Sequence, residues 1–221
     1  MKNRVYWTYG LPGSMSDVSG FPPERLLVDL KNNSSFKDKA SGNMLTCPAT
    51  LETIKNAYVL KAPFDVSITK HADGSCEILH FGKNTPPHLH VQFHDCFSWF
   101  FYSEKSINIT VYPPFLHPEC LAGACGSYNI SKWFRPVSGS IHMDSLNFVT
   151  IKRGQAIAYA FFDKPVDFVR FEMTNKLQDI GAASAFLKNV TTKNKLQALY
   201  DMASTNKINK RVLREIKRNI L

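Results

Sequence analysis

The sequence predicts an all-β fold: an antiparallel, jelly-roll-like β-sandwich over residues 47–175. An irregular N-terminal arm (1–46) precedes it, and a short, basic, helical C-terminal tail (176–221) follows. Three observations predict this. Roughly nine or ten short apolar-alternating runs recur at the spacing of strands in a sandwich or barrel. No strand-then-helix alternation repeats, which argues against a parallel sheet. Beyond Asn175 the apolar period changes to the helical one.

Taken in order, residues 1–46 are punctuated by Pro12, Gly13, Gly20, Pro22 and Pro23 and by the polar run Lys31–Asn43, which leaves room for one short element, Glu24–Leu30. Tyr6, Trp7 and Tyr9 are the means by which this arm would dock on the body or on a neighbouring subunit. Thr50–Asn56 fits one or two helical turns, and Ala57–Leu60 a short strand. Phe64, Val66 and Ile68 alternate with polar residues, Asp73-Gly74 supplies turn chemistry, and Cys76–Phe81 returns, so this region reads as a hairpin. Cys96–Tyr102 is nearly all apolar, as a strand buried on both faces should be. Further strands are expected at Ile107–Val111, Tyr128–Phe134, Ser140–Met143, Phe148–Ile151, Gln155–Phe162 and Val166–Met173. In the tail, Ile208, Val212, Ile216 and Ile220, with Leu213, form an i, i+4 stripe, and Lys/Arg residues fill the other side.

The formal net charge is +9, of which +6 belongs to residues 193–221. The basic character is therefore mainly a property of the tail. Its helix has three readings: docking on the body by its Ile/Val stripe, contact with a partner or a second copy of the chain, or neutralisation of nucleic-acid phosphates. No recognised DNA-binding motif accompanies the last of these. Five cysteines without CxxC spacing suggest free reduced thiols rather than a disulfide framework or a zinc ribbon. The N-terminus lacks the apolar run of a signal peptide, and no stretch has the length of a membrane span, so an intracellular product without membrane contact is expected.

Within Gly82–Tyr102, His88, His90, Gln92 and His94 fall at every second position, with Leu89, Val91 and Phe93 between them. On a strand the four polar groups would share one face. Gly82-x5-His88-x-His90 resembles the first half of the cupin motif, a glycine turn leading into a metal-binding HxH strand. That resemblance implies a cupin-like fold and a metal-dependent enzyme, for example an Fe(II) dioxygenase, with Fe(II), Zn or Mn as the ion. His94, with Asp95 beside it, occupies the place of the acidic ligand, and the second cupin motif finds no His in Arg153–Phe161. At strand rise His94 lies about 13 Å from His90, too far to share one ion on a straight strand. His88 and His90 thus need a further ligand, for which His94, Asp95 and His142 are the candidates. The other reading is a polar, solvated sheet face. No nucleophile elbow, phosphate loop or acid–base pair is recognisable, and no catalytic residue can be assigned.

Trp133, Phe134 and Arg135 combine aromatic surface with a planar cation, as carbohydrate-binding and protein-binding sites do. As alternating strand residues Trp133 and Arg135 would share a face and Phe134 would enter the core. The competing reading makes Arg135 a structural clamp stacked on Trp133.

Phe100–Pro114 (FFYSEKSINITVYPP), Gly126–Pro136 (GSYNISKWFRP) and Lys152–Phe162 (KRGQAIAYAFF) resemble a family encoded by marine tailed bacteriophages, cyanophages among them. Cys47-Pro48-Ala49, Tyr58–Asp65 (YVLKAPFD) and the Lys/Leu-rich helical end extend the resemblance over residues 47–221. Asn129 departs from it, since an acidic residue is expected there. The resemblance implies a viral β-protein of the host cytoplasm or the virion, without an assigned activity. The role expected first is structural or partner-binding, with a homo-oligomer or other phage proteins as partners through arm and tail.

Overall fold

A computed structural model describes residues 3–10, 20–32, 44–79, 82–84, 90–93, 97–117, 123, 125–137, 139–143, 146–181 and 206–221. The architecture is mostly β. Four groups of strands are hydrogen-bonded among the described residues: two four-stranded sheets, one five-stranded sheet and a two-stranded ribbon.

The first four-stranded sheet begins with β1 (Asn3–Gly10), where the sequence suggests an irregular arm. β1 lies inside the sheet, antiparallel to β8 (Ser98–Tyr102) and parallel to β15 (Val166–Arg170), and β11 (Pro136–Val137) pairs on the far side of β8. For residues 3–10 the arm expectation is corrected here, and so is the expectation of purely antiparallel pairing. Alternation explains the placement. Val5, Trp7 and Tyr9 enter the main core with Trp99 and Phe101, while Tyr6 faces the other way with Phe100 and Tyr102. Both faces of β1 are therefore covered, which is why VYWTY shows no polar alternation.

The outer layer over this sheet is helical. α3 (Asn206–Arg218; helices are numbered in chain order) buries Val212 and Ile216 against Tyr6, Phe100, Tyr102, Phe134 and Phe171, joined by Leu177 from helical residues 175–181. This is the docking reading of the tail, carried by the middle of its stripe; Ile208 is exposed, and Ile220, expected on the helix, lies past its end, exposed and in an antiparallel bridge with Phe171.

The five-stranded sheet has the order β10 (Gly126–Asn129), β9 (Asn108–Tyr112), β14 (Ala156–Phe162), β3 (Ala57–Lys61), β2 (Glu24–Arg25). Its inner face gives Tyr58, Leu60, Ala158, Ala160 and Phe162 to the same core. Its outer face gives Val59 and Tyr159 to a second apolar layer under α1 (Leu26–Asn32) and α2 (Pro48–Ile54). The third sheet, β13 (Phe148–Ile151), β4 (Val66–Lys70), β5 (Cys76–Ile78), β6 (Gly82–Asn84), adds Val66, Ile68, Ile78, Val149 and Ile151 to the main core. The β4–β5 hairpin turns at Gly74, whose φ of 79° suits glycine, and the Ser75 amide donates to Asp73 Oδ1 at 2.9 Å.

Candidate functional site

Of the predicted histidine centre, His90 and His142 fall on the two-stranded ribbon, β7 (His90–Gln92) against β12 (Ser140–His142). Val91, Ile141 and Met143 are buried and hold the ribbon on the core. The antiparallel register sets His142 directly opposite His90 and Ser140 opposite Gln92. Opposed Cα atoms in such a pair lie about 4.5–5.5 Å apart. The backbone thus brings together two of the predicted ligand positions, His90 and His142, that are distant in sequence. His88, His94 and Asp95 lie outside the described residues. A catalytic metal requires three protein donors, and among the described residues no group of three or more His, Cys, Asp or Glu side chains could hold one.

The Trp133–Arg135 pair lies beyond β10, in a turn and loop rather than on the strand expected through Phe134. Asn129 causes the break: its Oδ1 accepts from the Ser131 amide at 3.0 Å and from Ser131 Oγ at 2.6 Å, an Asx turn that replaces ladder pairing. Downstream of the turn, the Arg135 guanidinium stacks 4.4 Å above the Trp133 ring and 5.4 Å above Tyr128. Its Nε donates to the Pro136 carbonyl at 3.3 Å. Trp133 is only 9% exposed, and Phe134 packs on Phe100. Burial pushes the Tyr128 phenol well up, opposed by the nearby Arg135 charge. This is the clamp arrangement, and a sugar stacking on Trp133 would have to displace the guanidinium.

A third cluster has no counterpart in the sequence reading. α1 supplies Asp29, β3 Lys61, β2 Glu24, β14 Tyr159 and the turn after β9 His117. Asp29 Oδ2 meets His117 Nε2 at 2.8 Å, and Asp29 Oδ1 meets Lys61 Nζ at 2.6 Å. Lys61 also reaches Glu24 at 2.7 Å. On the other side of the imidazole, His117 Nδ1 contacts the Tyr159 hydroxyl, which accepts from the Leu116 amide at 3.2 Å. His117 is thus held through both ring nitrogens, Nε2 by Asp29 and Nδ1 by Tyr159. Burial raises the Asp29 pKa, but hydrogen bonds from His117 and Lys61 outweigh it and leave the carboxyl below its usual value. For Lys61 burial lowers the pKa, and its bonds to Asp29 and Glu24 carry it above the usual value.

The arrangement is a carboxylate–imidazole–hydroxyl relay, yet its hydroxyl is fully buried. A nucleophile has to reach a substrate; Tyr159 instead ties the loop at 116–117 to β14, while Asp29 ties α1 to β3. No spacing signal could have found residues 24, 29, 61, 117 and 159, because pairing across the sheet unites them.

Cys47, at the N-terminal boundary of α2, has a thiol held below its usual value by the Thr50 and Ala49 amides, without a formed capping hydrogen bond. It is one of three cysteines that are free among the described residues, with Cys76 and Cys125. No helix among the described residues is long and apolar enough to cross a membrane. Compared with protein-family models, with curated proteins and with solved structures, the chain has no significant match.

Proposed function

We propose that this chain is a bacteriophage-type β-sandwich protein, jelly-roll-like in its core, with a structural or partner-binding role rather than a catalytic one. The observation that supports it most is the use made of the chemically capable side chains. Arg135 is spent between Trp133 and Tyr128, and His117 between Asp29 and Tyr159, each fastening a loop to a sheet. The sandwich reading is supported by two sheets that turn their inner faces to one core. The apolar faces of β1 and of the middle of α3 are used internally, so assembly with a second copy or with other phage proteins, in the host cytoplasm or the virion, falls to the surface that arm and tail leave exposed.

A second reading, a cupin-type enzyme with Fe(II), Zn or Mn, is favoured by one observation, the register that sets His142 opposite His90. Metal analysis of the chain, prepared with and without oxygen and repeated on the His90→Ala/His142→Ala variant, separates the two. The proposal expects substoichiometric metal that the substitutions leave unchanged. Stoichiometric iron, zinc or manganese that disappears in the variant would overturn it in favour of the enzyme.

A further inference from the structure

Among the described residues, the packing of α3 on the body leaves one face of the helix exposed. Val212 and Ile216 are wholly buried in the body. At about 3.6 residues per turn, Lys210, Arg214 and Arg218 then stand on the opposite side, flanked by Arg211 and Lys217. All five are exposed. Two acids lie beside this face, and a lysine engages each: Glu104 meets Lys217 at 2.9 Å, and Glu215 meets Lys176 at 2.6 Å. Among the described residues Lys210, Arg211, Arg214 and Arg218 have no ion-pair partner. Exposed Arg4 of β1 lies close enough to Glu104 and Lys217 to act on both electrostatically, which extends the positive field across the end of the sheet.

We propose that this face is a sequence-independent contact for duplex DNA, held through its phosphates. The inference goes beyond the structural or partner-binding role and does not depend on it. Three of the four unpaired cations are guanidinium groups, whose planar fork matches phosphate oxygens two at a time. From Lys210 to Arg218 the helix advances about 12 Å, a length over which a duplex carries about seven phosphates. Proteins that hold single strands add aromatic platforms to the basic surface. Among the described residues the exposed aromatics Tyr112, Phe115 and Phe148 belong to other elements, and α3 itself carries none, so the helix supplies charge without stacking. An anionic membrane would demand that the apolar side of the helix sink among the headgroups. That side is packed against Phe100, Phe134 and Phe171.

The test is fluorescence anisotropy of the full chain with two unrelated duplexes of about 20 bp, titrated between about 50 and 200 mM salt. Four neutralised phosphates give a slope of about −3.6 in log K against log salt, or roughly a hundredfold loss across that range. The two sequences should bind alike. Arg211→Gln/Arg214→Gln/Arg218→Gln should bring the slope to about −1, and the corresponding triple lysine variant should restore most of it. Unchanged melting temperatures of both variants show that the fold is intact. Absence of binding at the lowest salt, or a glutamine variant that binds like the parent, would overturn the proposal. So would tighter retention on phosphatidylserine vesicles than on DNA, which would assign the face to membranes.

Discussion

Asp29 joins α1 to β3 and to the His117 turn, and its response to pH follows from those partners. Its folded-state pKa is depressed, so the stability it contributes is present above the unfolded value, about 3.9, and is lost as pH falls through the folded value. Asp29→Asn should therefore shallow the acid limb of a urea-unfolding profile below about pH 4. At neutral pH the same variant should cost about 3 kcal/mol, the scale for removing one partner of a buried pair. Asp65, Glu104 and Glu215 are depressed as well, Asp65 chiefly by the Arg153 amide and the other two chiefly by lysines, so an acid limb should remain in the variant. An Asp29→Asn profile parallel to the parent's at every pH would contradict this account of the relay.

α3 and the residues just past its end illustrate how unequally one apolar stripe can be used. Ile216 is fully buried and Ile220 is 44% exposed. Ile216→Ala should cost about 2–5 kcal/mol, and Ile220→Ala no more than about 0.5 kcal/mol, both measured by urea denaturation. Equal costs would mean that the helix leaves the body in solution. This helix was legible because an i, i+4 stripe declares its buried side. The hairpin of β4 and β5 was legible because alternation and turn chemistry agree there. β1 was not: a strand covered on both faces loses the alternation by which strands are recognised, and Pro12 and Gly13 beyond it resemble loop chemistry. The end of β10 was missed because Asn129 closes on Ser131, a local bond that propensity does not register. Among the site residues, His90 and His142 were named separately, while the register that opposes them is a property of the ribbon. The Arg135–Trp133 stack was one of two readings of a short motif. Asp29, Lys61 and Tyr159 were invisible, since only the folded sheet makes them neighbours.

For the molecule as a whole, β1 decides whether the amino terminus is an appendage or part of the frame. Deleting residues 1–10 should strip β8 of one of its two flanking strands and β15 of the strand that joins it to the sheet. The truncated chain is expected to lose its near-ultraviolet circular dichroism and its cooperative thermal transition. A truncated protein that melts like the parent would return the segment to the status of an arm. The parallel pairing of β1 with β15 also has a consequence in time. Asn3 is matched to Val166, so β1 must wait for a strand synthesised long after it. At about 5–20 residues per second the wait is roughly ten to thirty seconds. Through that interval Val5, Trp7 and Tyr9 have no finished core to enter. Contacts this distant in sequence slow folding and prolong the exposure of apolar strands. Yield from a cell should therefore depend on elongation rate and on holding chaperones more than the stability of the finished protein would suggest.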